Sequence, residues 1–225
     1  IINEEGLDLE VNSDGELQKA REAGFPADRM VMNGVSKSRS EIAAALSPPI
    51  KAINVDSPFE LERIASVATE LGVRANVALR GVPGVQGGST AGIETGSERS
   101  KFGMTEPEIE QCLVLAENNR EAIRVAGLHV HIGSQMTDMG LYAAAARYVA
   151  KRGGAIQARL PGDLRHLNIG GGFPKPYVKY NDQSPEIGYF HTDVTVDDVA
   201  ATVMPLLKDT LGTDLEILTE PGRSM

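Results

Sequence analysis

The sequence predicts an α/β fold of the parallel (β/α)₈ barrel class, and three observations support this prediction. Short apolar runs alternate with longer amphipathic segments along all 225 residues. No linker, charge block or low-complexity tract divides the chain, so residues 1–225 are expected to form one domain. Two long loops, 83–100 and 173–194, each follow a predicted strand. They should therefore lie at the carboxyl ends of the strands, where barrels carry their chemistry.

The predicted elements leave the barrel one strand short. Strands are predicted near residues 7–11, 29–34, 52–56, 74–82, 125–133, 164–170 and 215–220. Helices are predicted near residues 14–23, 38–46, 58–71, 106–119, 138–152 and 196–211. We expect strand one to lie upstream of residue 1, which would leave an unpaired strand edge. An open doubly wound sheet is the alternative architecture.

Local capping chemistry supports the helix starts. Four of them carry a Ser/Thr-x-x-Glu pattern, namely Ser13/Glu16, Ser38/Glu41, Ser57/Glu60 and Thr105/Glu108. In this pattern the hydroxyl accepts from the third helical amide while the glutamate reaches back to the cap amide. Gly24 and Gly72 follow two of the helices, at positions that favour a left-handed C-cap.

Composition restricts the function classes. The formal net charge of −9 argues against a nucleic-acid backbone as partner, although a local anion site remains open. The longest apolar runs are far shorter than the ~20 residues of a membrane span, and no secretory signal opens the chain. The single cysteine, Cys112, excludes an internal disulfide and fits a reducing, cytoplasmic location. Its apolar neighbours predict a buried thiol and not a nucleophile.

The strand around residues 127–134 places two histidines on one face. Leu128 and Val130 point to the helix side, whereas His129 and His131 point into the barrel. Because buried imidazoles need hydrogen-bond partners, both histidines are candidates for a functional role. We interpret His129 as structural and His131, nearer the mouth of the barrel, as a functional candidate.

The next two predicted strands end in motifs suited to anions. Gly170, Gly171 and Gly172 let backbone amides approach an anion, although a simple tight turn is an equal interpretation. The triplet is neither GxGxxG nor a Walker A loop. The final strand ends in Glu220-Pro221-Gly222-Arg223, whose charged residues could pair with each other or bind a ligand. In a barrel, the loops after the seventh and eighth strands commonly bind phosphate.

These motifs together resemble one enzyme family. They are residues 100–103 (SKFG), 129–135 (HVHIGSQ), 168–174 (NIGGGFP) and 220–224 (EPGRS). In this order they resemble the fold-type III pyridoxal-phosphate decarboxylases, most closely the diaminopimelate branch, with ornithine and arginine decarboxylases as relatives. The resemblance implies an alanine-racemase/decarboxylase-type barrel that binds pyridoxal 5'-phosphate and a small amino-acid substrate.

The resemblance also implies roles for individual residues. His131, the catalytic candidate, would stack on the cofactor ring and Ser134 would lie beside the cofactor. The amides of Gly170–Gly172 would hold the phosphate. Glu220, at the start of the turn through Pro221 and Gly222, would keep the pyridine nitrogen protonated. Arg223 would bind the phosphate or the substrate carboxylate.

Some features of the family have no match in this sequence. The lysine that holds the cofactor covalently would lie upstream of residue 1, and neither Lys37 nor Lys101 matches it. The C-terminal β-domain, which completes the family's homodimer, is also absent. Residues 80–83 read Arg-Gly-Val-Pro where the family usually has Arg-Val-Asn-Pro.

The predicted function is decarboxylation of an amino acid, with meso-diaminopimelate as substrate and lysine as product. Gln135 favours this substrate by resemblance. The alternatives are a decarboxylase for another basic amino acid and a non-catalytic or regulatory relative. A metal-dependent barrel hydrolase is a remote alternative, because His129-x-His131 has the spacing of two zinc ligands. His166 and His191 are poorly placed to complete such a site.

Overall fold

The computed structural model describes residues 2–84, 102–181, 184–211 and 215–222. Its strands are β1 (Leu9–Val11), β2 (Met30–Met32), β3 (Ala52–Val55), β4 (Ala75–Arg80), β5 (Ile123–His129), β6 (His166–Asn168), β7 (Tyr177–Asn181), β8 (Ser184–Phe190) and β9 (Glu216–Leu218). Its helices are α1 (Asp14–Glu22), α2 (Arg39–Ala45), α3 (Pro58–Leu71), α4 (Glu106–Asn118), α5 (Met139–Arg159) and α6 (Val196–Leu211). A short 3₁₀ helix spans Ala27–Arg29.

In the described part of the chain, seven strands form one parallel sheet in the order β1-β2-β3-β4-β5-β6-β9. Each strand therefore pairs with the one before it in sequence, apart from the β7–β8 excursion. A doubly wound sheet would reverse its strand order near the middle, and this sheet does not. The prediction of a barrel-type parallel sheet is confirmed.

The sheet curls until its two outer strands, β1 and β9, approach each other. The ammonium of Lys51 binds Asp8, just before β1, at 2.5 Å and Glu216, in β9, at 2.9 Å. A cavity of about 430 Å³ lies between these strands and is lined by residues of both. The described residues thus form a barrel that is open between β1 and β9.

The predicted capping residues start their helices, with one difference. Ser38 and Glu41 form the full reciprocal capping box. At α1 and α3 the serine accepts from the third helical amide, but the glutamate accepts from the residue before the cap. The glutamates thus satisfy the N–H groups of Asn12 and Asp56 and not those of the cap residues. Gly24 (φ +78°) and Gly72 (φ +64°) adopt the predicted left-handed conformation.

Two predictions about element boundaries were wrong. The predicted loop 173–194 contains the antiparallel hairpin β7–β8, in which the rings of Tyr177 and Phe190 lie 5.6 Å apart. Helix α5 was predicted to end near residue 152, yet it continues through Gly153 to Arg159. Gly153 is buried, and tertiary packing outweighs the helix penalty of about 1 kcal/mol per glycine.

No helix in the described ranges is long and apolar enough to cross a membrane. Buried apolar side chains of the strands and helices instead form one hydrophobic cluster, which includes Leu79, Leu128, Ile64 and Leu113. Cys112 belongs to this cluster and is fully buried. Burial, reinforced by nearby glutamates, raises the pKa of its thiol to about 12. The predicted burial of this thiol is confirmed.

The Cys112 thiol should resist alkylation in the folded protein, because both burial and its high pKa suppress the thiolate. After treatment with iodoacetamide at pH 8, mass spectrometry should find the peptide containing Cys112 unmodified. The same peptide should be fully modified in guanidinium chloride. Rapid modification under native conditions would contradict this placement of α4.

Candidate functional site

Strand register brings the predicted site residues together. His129, Asn168 and Leu218 lie side by side across β5, β6 and β9. Each is followed two residues later by a predicted site residue, so that His131, Gly170 and Glu220 meet at the carboxyl edge. His131 lies just beyond the end of β5, which stops at His129, and not within the strand as predicted.

The glycine triplet is a tightly packed turn. Gly170 and Gly172 have φ values of +70° and +83°. A Cβ on Gly170, Gly171 or Gly172 would collide with the carbonyl oxygen of Val130, Glu220 or Gly133, respectively. The carbonyl of Gly170 accepts from the amide of Glu220 at 2.9 Å, so the turn is joined to the end of β9.

The amides of the triplet are not all available for an anion. The N–H of Gly170 donates to Oδ1 of Asn168 at 2.8 Å, and that of Gly171 donates to Nδ1 of His131 at 3.2 Å. Among the described residues, the N–H of Gly172 has no protein acceptor. Gly170 and Gly171 thus donate to side chains of the site, and a phosphate-binding role for the three amides stays a prediction.

Glu220 is a buried carboxylate surrounded by hydrogen-bond donors. Its Oε1 accepts from the amide groups of Asn168 at 2.8 Å and Asn33 at 3.2 Å. Its Oε2 lies 3.3 Å from Nε2 of His129. Burial alone would raise the pKa of Glu220, but His129 and Asn168 outweigh it and lower the pKa to about 2. Glu220 is thus a stable anion across the physiological pH range.

His131, half-buried beside this anion, is neutral. Burial, the neighbouring His129 and the Arg80 guanidinium lower its pKa to about 4, and Glu220 only partly opposes them. Because Nδ1 accepts from Gly171, the ring proton belongs on Nε2. A neutral ring can lie against a cationic aromatic ligand without charge repulsion.

The remaining predicted residues surround this centre. Ser134 is exposed beside the turn, whereas Gln135 is buried and exchanges hydrogen bonds with the backbone of Lys175. Pro221 lines the cavity between β1 and β9, and Gly222 is exposed. Arg223 and Lys101 lie outside the described residues.

Lys37 and Arg80 have structural partners. The ammonium of Lys37 is buried and donates to the carbonyls of Gly34 and Asn54, both at 2.6 Å, and to Glu60 at 3.1 Å. Lys37 is therefore engaged away from the site. Arg80 lies 3.5 Å from Asp56, and its guanidinium lies over the ring of Phe102.

Sequence reasoning missed the buried amides that hold the site. Asn54 and Asn168 lie within strands, where asparagine is depleted, and Asn33 directly follows one. All three are at most 5% exposed. A polar, β-disfavoured residue inside an apolar run was the available signal.

The chain belongs to the family described as "Pyridoxal-dependent decarboxylase, pyridoxal binding domain", whose match covers residues 1–225. The predicted family and its cofactor are thereby confirmed. Diaminopimelate decarboxylases of Bacillus methanolicus and Bacillus subtilis are 36% and 37% identical to the chain, and each match covers 100% of it. The chain spans about half the length of these relatives, 51% and 50%.

A solved structure supports the same assignment. Diaminopimelate decarboxylase from Helicobacter pylori, complexed with L-lysine, superposes with a TM-score of 0.83 at 31% identity. The match covers 99% of this chain and 52% of that one. Because the family is that of pyridoxal-dependent decarboxylases, the alternative of a metal-dependent hydrolase is set aside.

The residues present fit pyridoxal phosphate. The glycine turn carries no side chains, and the N–H of Gly172 has no acceptor among the described residues, so this part of the backbone can approach an anion. Glu220 supplies a permanent buried anion suited to a protonated pyridine nitrogen. Cofactor, neutral imidazole and carboxylate are therefore chemically compatible at this edge of the sheet.

Replacing Gly172 with Ala should destabilise the protein more than replacing Gly162. Both glycines have φ near +82°, so the cost of a left-handed alanine, about 1–2 kcal/mol, applies to each. Only at Gly172 would the Cβ also collide with backbone, whereas nothing lies within 4 Å at Gly162. Urea unfolding measures the difference. Equal destabilisation by the two variants would contradict the packing of the turn.

Stability should fall as the pH is lowered from about 6.5 to 4. Burial, aided by Lys51 and His129, lowers the pKa of His166 to about 4, and His131 behaves similarly. Since the unfolded state binds protons first, each buried histidine can contribute a slope of up to about 1.4 kcal/mol per pH unit. His166→Gln should flatten this decline, as measured by urea unfolding at several pH values. An unchanged pH profile in this variant would refute the assignment.

Proposed function

We propose that this chain is the cofactor-binding portion of a decarboxylase that converts meso-diaminopimelate to lysine. The observation that carries the proposal is the buried anion of Glu220, placed by strand register beside a neutral His131 and the glycine turn. The substrate is inferred from the diaminopimelate decarboxylases that match the whole chain and from the lysine-bound relative.

Pyridoxal phosphate, when bound, supplies an electron sink for the carbanion that remains after loss of CO₂. Glu220 would hold the proton on the pyridine nitrogen, because its carboxylate stays ionised. The neutral imidazole of His131 would contact the cofactor ring, and Ser134 would lie beside it. The N–H of Gly172 and the guanidinium of Arg223 would bind the phosphate.

The donors around Glu220 contribute to this function by holding it in place. Asn168 binds Glu220 through one end of its amide and Gly170 through the other. The carboxylate and the glycine turn are thus fixed relative to each other. Such preorganisation fixes the position of the negative charge before the reaction begins, so that no free energy of reorganisation is needed during the reaction.

Assembly, location and partners remain predictions, the first from the family resemblance and the other two from the composition of the sequence. A homodimer of the complete protein, a cytoplasmic location and the absence of a nucleic-acid partner belong to this set. The net charge of −9 supports the last of these.

Glu220→Gln should leave binding of pyridoxal phosphate largely intact but lower kcat by roughly 10²–10³, because a neutral amide cannot hold the ring nitrogen protonated. The complete protein is titrated with pyridoxal phosphate and then assayed for single-turnover CO₂ release. Glu216→Gln is the matched control, since Glu216 is the first residue of β9, at the end of the strand away from Glu220, and is half-exposed. It should decarboxylate at the wild-type rate.

Arg223→Ala in the same assays should weaken retention of cofactor or substrate and not the chemical step. If Glu220→Gln decarboxylates as fast as wild type, or if the protein binds zinc and no pyridoxal phosphate, the proposal is wrong.

A further inference from the structure

Asn33, which no sequence motif indicates, lies between two carboxyl groups at the carboxyl edge of the sheet. Its Nδ2 donates to Oε1 of Glu10 at 2.7 Å and to Oε1 of Glu220 at 3.2 Å. Glu10 belongs to β1 and Glu220 follows β9. This one amide group therefore connects a residue of β1 with the residue that lies just beyond β9.

The orientation of this amide is fixed from behind. Oδ1 of Asn33 accepts from Nδ2 of Asn54 at 2.5 Å, and Asn54 is fully buried. The two N–H groups of Asn33 must therefore face the carboxylates. Buried amide groups need hydrogen-bond partners. The amide of Asn33 therefore needs the carboxylates as acceptors, and the carboxylates need the amide as a donor.

The two carboxyl groups differ in how they hold charge. Burial and the charge of Glu220 raise the pKa of Glu10, while Asn33, Asn12 and His129 act in the opposite direction. Glu220, facing His129 of β5 and Asn168 of β6, remains ionised. Glu220 therefore keeps the negative charge, and Glu10 takes up a proton first as the pH falls.

We propose that Asn33 is a positioning residue for Glu220, and that its amide holds this carboxylate in place against repulsion by the neighbouring Glu10. Without Asn33, Glu220 would lose a donor and the two carboxylates would lose the group that separates their charges. The consequence for catalysis rests on the proposed function, but the arrangement itself can be tested without the cofactor.

A double-mutant cycle in the complete protein separates this role from simple packing. Without cofactor at pH 7, Asn33→Ala should lower the folding equilibrium constant about ten- to hundredfold, as expected for a lost hydrogen bond to charged groups. In a Glu10→Gln background, the same substitution should lower the folding equilibrium constant about threefold or less, because the repulsion between the two carboxylates is gone. A packing role would give the same loss in both backgrounds.

The pH dependence supplies a second measurement. Because the pKa of Glu10 is raised on folding, its ionised form destabilises the fold at neutral pH. Glu10→Gln alone should therefore be at least as stable as wild type at pH 7. The loss caused by Asn33→Ala should shrink as the pH falls from 7 to 4.5. Asn76→Ala is the matched control, since Asn76 donates to the backbone oxygen of Ile50 and accepts from Arg124 but contacts neither carboxylate in the described residues, and its effect should not depend on Glu10.

The affinity for pyridoxal phosphate is measured in the same variants. Asn33→Ala should weaken it about tenfold, and adding Glu10→Gln should restore most of it. If wild type fails to bind pyridoxal phosphate, the proposed function is wrong. The double-mutant cycle measured by unfolding still tests the role of Asn33, because it does not use the cofactor. Additive losses, or a Glu10→Gln variant less stable than wild type at pH 7, would overturn the proposal. If Asn33→Ala does not fold, recovery of a folded Asn33→Ala/Glu10→Gln protein supports it and failure of both overturns it.

Discussion

A negative charge buried at Glu220 is the constraint on which the architecture of the site depends. Burying an ionised carboxylate without partners would destabilise the fold by roughly several kcal/mol, and the group would take up a proton instead. The chain meets this cost with polar groups from strands that are distant in sequence, including Asn168 and His129. The register of β5, β6 and β9 thus brings His129 and Asn168 next to this carboxylate.

The side chains around Glu220 form one hydrogen-bonded network with the backbone of the glycine turn. Asn168 connects Glu220 to the amide of Gly170, and His131 connects to the amide of Gly171. The N–H groups of Gly170 and Gly171 are thereby hydrogen-bonded within the protein. The turn, the imidazole and the carboxylate are therefore held together before any ligand binds. Efficient active sites generally require such preorganisation.

Local patterns predicted most of the fold, whereas long-range polar contacts escaped prediction. Helix caps such as Ser38 and the apolar alternation around Leu128 are visible within a few residues, so the parallel strands and their helices could be located. The meeting of His131, Gly170 and Glu220 followed from parallel strand ends. The partners of Asn33 could not be predicted in this way, because they lie up to 187 residues away. The β7–β8 hairpin was hidden by the three prolines of residues 173–194, which are typical of loops.

The contact between Asn33 and Glu220 also has a consequence for how the chain folds. Residues 187 positions apart must meet before either polar group is satisfied, and such non-local closure slows folding. A ribosome adding about 5–20 residues per second exposes Asn33 and Glu10 for roughly ten seconds or more before β9 is synthesised. During that time the growing sheet has an uncovered edge. Newly made chains should therefore depend on chaperones until the last parallel strand docks.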